Sequence, residues 1–84
     1  MNNQSQGLVV LRVSQSVMLA DNTQWENRFE INSETSDRVY VIAQNKRRRH
    51  WGCSCPAWRR YRHCKHLDSV GLPGNEVPCE VLLA

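Results

Sequence analysis

The sequence predicts a small α+β domain in which an antiparallel β-hairpin or three-stranded sheet is followed by a short helix, the whole pinned by a metal ion. Three observations lead to it. An 84-residue chain has room for one domain and buries only a modest fraction of its surface, so a metal staple is physically useful. Between residues 29 and 53, runs rich in β-branched and aromatic residues are separated by turn-forming clusters, as in a series of short strands. At the end of those runs, Cys53-Ser-Cys55 and Cys64-Lys-His66 supply three thiols and an imidazole at short fixed spacings.

The elements follow in chain order. Residues 1–7 are polar and carry no charged side chain, unlike the basic start of a secretory leader. Residues 8–13 form a strand by composition. Their apolar run ends at Arg12, far short of the roughly 20 residues that cross a bilayer. Residues 14–22 fit either a capped helical turn or another strand. Phe29-Glu-Ile31 alternates, with Phe29 and Ile31 inward, and the polar cluster of residues 32–37 turns the chain. Residues 38–43 form the central strand, residues 44–47 a turn, and residues 48–53 the strand that delivers the first donors.

Pro56 suits a first helical position, so residues 56–62 are expected as an irregular helical turn with Trp58 and Tyr61 on one side. A short helix then runs from near Cys64 through Val70 and stops at Gly71, which suits a left-handed cap, with Pro73 two residues beyond. The remaining tail is expected to be extended, packing Val81, Leu82 and Leu83 back on the domain. The organisation is thus a partly ordered extension (1–28), the metal-binding unit (29–72) and a tail (73–84).

The donor set points to zinc. Zn²⁺ favours four soft or borderline donors in a tetrahedron, and a closed Cys₃His shell leaves no position for water, which makes the site structural. Residues i and i+2 of an extended strand point the same way, so Cys53 and Cys55 converge, and Pro56 holds Cys55 extended. In a regular helix i and i+2 diverge by about 200°, so Cys64 belongs in the turn before the helix and His66 in its first turn. One zinc, held by Cys53, Cys55, Cys64 and His66, is expected to bind as the chain folds. Cys53 and Cys55 are too close for a disulfide, and the polar start is not expected to act as a leader, so a soluble, reducing compartment is expected. Cys79 has no partner at ligand spacing and is expected as a small buried hydrophobe. His50 and His63 do not complete a Cys-x-His pair and are expected at the surface.

Trp51-Gly-Cys-Ser-Cys-Pro56 and His63-Cys-Lys-His-Leu67, preceded by Val39-Tyr-Val-Ile42, resemble a SWIM-type zinc finger over about residues 29–72. The family pattern is Cys-x-Cys, a variable spacer and Cys-x-His on a β-hairpin followed by a helix, and every ligand position is filled here. The resemblance implies a DNA-binding or protein-interaction module, of the kind found in nuclear proteins, chromatin-remodelling ATPases, transposases and bacterial proteins. The compartment would be cytoplasmic in a bacterium and nuclear in a eukaryote.

Charge is concentrated at the metal motif. Residues 38–66 carry nine Lys or Arg and no acid, while residues 1–37 carry two Arg against five acids and residues 67–84 three acids and no base. Three bound thiolates and Zn²⁺ leave the central segment at about +8. Arginine grips phosphate bidentately and aromatics stack on bases. Arg47, Arg48, Arg49, Arg59, Arg60 and Lys65 are therefore candidate phosphate contacts, on DNA in preference to RNA because the resemblance leans that way. The plainer reading of residues 46–49 is a solvated hairpin tip that protects a sheet edge. A second reading makes the protein an interaction adaptor whose acidic N-terminal region or apolar tail docks a partner. The sequence shows no paired carboxylates in the basic region, no Ser-His-Asp arrangement and no phosphate loop, so neither catalysis nor a small-molecule substrate is expected.

Overall fold

The computed structural model describes residues 8–11, 17–33 and 37–83. Its elements are β1 (Leu8–Leu11), β2 (Met18–Leu19), β3 (Trp25–Asn32), β4 (Val39–Asn45), β5 (Trp51–Cys53), α1 (Pro56–Tyr61), α2 (Lys65–Ser69) and β6 (Glu80–Leu83). Strands β2, β3, β4 and β5 form one antiparallel sheet in that order, and β1 pairs in parallel with β6. The fold is therefore a small α+β domain: a four-stranded antiparallel sheet followed by two short helices.

Strand side chains alternate between faces, and the pairing register sorts them here. Phe29 lies opposite Ile42, which lies opposite Cys53, while Gln44 lies opposite Trp51. These residues share the inner face with the buried core of Leu11, Leu67 and Leu72, against which Ile31, Tyr40 and Val81 pack. Ala43 pairs with Gly52 on the opposite, outer face.

A bulge interrupts β3. Between the pairs Glu26–Gln44 and Phe29–Ile42, both Asn27 and Arg28 face the single residue Ala43. Asn27 adopts a left-handed backbone (φ 52°), which asparagine tolerates better than most residues. Its side-chain amide donates to Oε1 of Gln44 at 3.1 Å. Gln44 is itself buried, and its Nε2 donates to the carbonyls of Arg49 (3.1 Å) and Cys79 (3.0 Å). One satisfied amide thus joins the bulge, the β4–β5 turn and the approach to β6.

That network corrects one sequence expectation. Gln44 and Asn45 belong to β4, and the turn covers residues 46–48, where Oδ1 of Asn45 accepts from the amides of Arg47 (3.1 Å) and Arg48 (2.9 Å). One further boundary changes: the strand carrying Cys53 begins at Trp51 rather than at residue 48. Of the two readings of residues 14–22, Met18 and Leu19 take the strand, β2, which adds a fourth to the sheet. The tail is extended, and it pairs as β6 with β1. Within that tail Val81 packs on the core while Leu82 is exposed. Residues 12–16 and 34–36, parts of an expected strand, of the ambiguous segment and of a turn, lie outside the described residues.

The C-terminus of α2 follows the glycine signal. Gly71 has φ 83°; its amide donates to the carbonyl of Asp68 at 3.1 Å, and that of Leu72 to Leu67 at 2.9 Å. This pair of bonds is a Schellman cap, and its usual apolar contact is supplied by Leu67 and Leu72, both buried.

Candidate metal centre

Each donor is delivered by the end of an element. Cys53 is the last residue of β5, Cys55 is the N-cap of α1, Cys64 is the N-cap of α2, and His66 lies in the first turn of α2. The three thiol sulfurs and one imidazole nitrogen all lie within 4.8 Å of one another, and all four residues are buried. Sγ of Cys53 stands 3.7 Å from Nδ1 of His66. Bond lengths of about 2.3 Å for Zn–S and 2.0–2.1 Å for Zn–N at a tetrahedral angle require an edge of about 3.6 Å. The four residues thus form a site able to hold a metal ion, and both their number and their softness fit a closed tetrahedral shell.

Electrostatics agree with a cation at the centre. Burial pushes the Cys53 thiol well above its usual range and raises that of Cys64, and the charge of neighbouring cysteines pushes both further. Some groups pull the other way. The backbone amide of Cys55 stabilises a Cys53 thiolate, and those of Leu67 and His66 act likewise on Cys64. The amide of Trp58 donates to Sγ of Cys55 at 3.4 Å, capping α1 with a ligand sulfur. Three thiolates packed together in this buried space would need a positive charge between them, which a bound dication would supply.

Cys79 is not among the clustered donors. It is half-buried, and its carbonyl accepts from Nε1 of Trp51 at 2.7 Å. This main-chain bond satisfies the indole N–H of the wholly buried Trp51.

The basic residues separate into two groups. Arg47, Arg48, Arg59, Arg60 and Lys65 are exposed. Arg49 is engaged: its guanidinium meets Glu26 at 2.7 Å and Glu80 at 2.8 Å, tying β3 and β6 to the β4–β5 turn. Bonds to both carboxylates raise its pKa still further, so its charge is permanent, but its donors face acids of the same chain. Arg62 lies over the Trp58 ring at 4.8 Å.

His50 is a correction. It is buried, not at the surface, stacked on Trp58 (ring centroids 6.3 Å, interplanar angle 15°) and edge-on to Trp25 (5.6 Å, 87°). Burial holds its pKa down; Glu76 opposes this, and the charges of Arg48 and Arg62 reinforce it. The field at His50 therefore registers both the β4–β5 turn and the end of α1. Period-two spacing was the available signal for this outer-face cluster: His50 and Gly52 alternate with Trp51 and Cys53.

No family model, curated protein or solved structure matches this chain. No helix among the described residues is long and apolar enough to cross a membrane.

Proposed function

We propose that this protein is a zinc-finger module of SWIM type, non-catalytic and intracellular, in which one structural Zn²⁺ holds the scaffold and a basic surface binds nucleic acid, DNA in preference to RNA. The observation that carries this reading is the exposure of Arg47, Arg48, Arg59 and Arg60 around a buried Cys₃His site, with no carboxylate bridging to any of these four among the described residues. Lys65, exposed beside Cys64, extends the set. Arg49 contributes by shaping the turn that presents Arg47 and Arg48.

Phosphate contact by these five exposed cations releases counterions, so affinity for duplex DNA falls with salt at a log–log slope of about −4.5, with little sequence preference. A fluorescence-anisotropy titration between low and physiological salt tests this. A steep slope that flattens in the combined Arg47→Gln and Arg59→Gln variant supports the reading; salt-insensitive or absent binding overturns it. The adaptor reading draws support from exposed apolar side chains at Met18, on the short edge strand β2, and at Val17 just before it. Under that reading, arginine substitutions leave function intact while Met18→Glu abolishes it.

A further inference from the structure

The outer face of the sheet carries a cleft that shares only Cys53 with the metal site. It encloses about 350 Å³, within the range of small-ligand sites. Its floor is Val41, Ala43 and Gly52, and Trp25 and Trp58 form its walls. Gly52 is required by the closeness of those walls. A Cβ there would stand 2.9 Å from Cζ2 of Trp58 and 3.1 Å from Cη2 of Trp25.

The bulge in β3 builds the rim. Trp25 and Arg28 are three residues apart and would face opposite sides of a regular strand; the extra residue at Asn27 brings both to this cleft. The ring contacts of Trp25 among the described residues are both edge-type, with His50 and with Trp58 (6.3 Å, 82°). Trp58, by contrast, is stacked by His50 and approached by Arg62. Trp25 is therefore the indole of the cleft on which no described ring is stacked in parallel.

The polar groups at the rim are donors. Among the described residues Arg28 uses only Nη1, on the carbonyl of Ala20 at 2.6 Å, and Arg59 has no side-chain bond. Oδ1 of Asn22 accepts from the amides of Gln24 and Trp25, and Oγ of Ser54 accepts from the amide of Val41, so Asn22 retains its NH₂ and Ser54 its O–H proton. No acid lines the cleft. The matching ligand is flat, aromatic, rich in acceptors and anionic at one end.

We infer that this cleft is a base-stacking subsite for single-stranded nucleic acid: a base lies on Trp25, its carbonyls meet Asn22 and Ser54, and the adjoining phosphate meets Arg28 and Arg59. The inference rests on the nucleic-acid reading above and narrows it, because a paired base inside a duplex cannot enter the cleft. Loss of one base stack weakens binding about 5- to 150-fold.

The test uses zinc-loaded protein, labelled twelve-residue oligothymidylate, a duplex of equal length, thymidine monophosphate and an acidic peptide with a central tryptophan. The expected result is quenching of tryptophan fluorescence by the oligothymidylate, which outcompetes the duplex. Trp25→Leu and Arg28→Gln each weaken this binding at least about fivefold with zinc content unchanged. Arg59 is also one of the phosphate contacts proposed above, so Arg28→Gln, at a cleft residue outside that set, keeps the test decisive should Trp25→Leu fail to fold. Oligonucleotide binding that both variants leave within twofold of wild type overturns the cleft and spares the nucleic-acid reading; no binding to either DNA form overturns both. Equal affinity for the mononucleotide would make the cleft a free-nucleotide pocket, and preference for the peptide a protein-docking site. Either result overturns the inference.

Discussion

The two faces of the β3–β4–β5 sheet bury aromatic residues in opposite ways. On the inner face Trp51 is wholly enclosed and its indole N–H donates to the carbonyl of Cys79. Gln44 beside it satisfies its amide on both ends. Cys53, Cys55 and Cys64 belong to the same packed cluster as Phe29, Leu67 and Leu72, so the hydrophobic core and the metal site are one body. On the outer face Nε1 of Trp58 and Nδ1 of His50 are buried without a hydrogen-bond partner among the described residues, each a cost of about 1–3 kcal/mol. The inner face is arranged for stability. The outer face keeps an open cleft and polar groups that the fold alone does not require.

If the inner face is one body with the metal, Cys64→Ser should have the largest effect. Structural zinc sites contribute an apparent binding free energy of about 10–16 kcal/mol that is also folding free energy. We expect loss of both bound zinc and near-UV circular dichroism. Next is Trp51→Ala, expected to cost about 3–5 kcal/mol in urea unfolding of the zinc-loaded protein. Trp25→Ala should cost less than half of that and leave zinc stoichiometry unchanged; equal costs would erase the distinction between the faces.

Gly52→Ala tests the outer face sterically. Its Cβ would meet both cleft indoles, so we expect a loss of about 1–3 kcal/mol together with altered tryptophan emission. The smallest effect belongs to the ion-pair clamp. Bonds from Arg49 hold the Glu80 carboxyl below its ordinary pKa. The folded-state pKa is depressed, so the contribution is present above the usual carboxylate range and fades as pH falls through the folded pKa. The partners are 34 % and 56 % exposed, so Glu80→Gln should cost only about 0.5 kcal/mol near neutrality. The mutant–wild-type difference should close toward acid pH.

What was legible in the sequence was local. The Cys-x-Cys and Cys-x-His pairs are chemically specific, and the structure brings those four donors together. Gly71 announced the end of α2 because only its backbone freedom suits the cap. What was illegible depended on distant partners. The two residues of β2 are too few for periodicity to show, and β6 finds β1 across nearly the whole chain. The bulge at Asn27 leaves no pattern until Ala43 is known to lie opposite. His50 looked like a surface residue because the two tryptophans that cover it come from positions 25 and 58. Arg49 looked interchangeable with Arg47 and Arg48 until Glu26 and Glu80 were placed beside it.

The most direct test of the metal-centred fold is native mass spectrometry of the purified chain, paired with near-UV circular dichroism before and after chelation. We predict one zinc per chain and a near-UV signal that vanishes when the metal is withdrawn and returns when it is restored. A metal-free chain with an intact near-UV signal would contradict the account and return the three buried thiols to the core as ordinary hydrophobes.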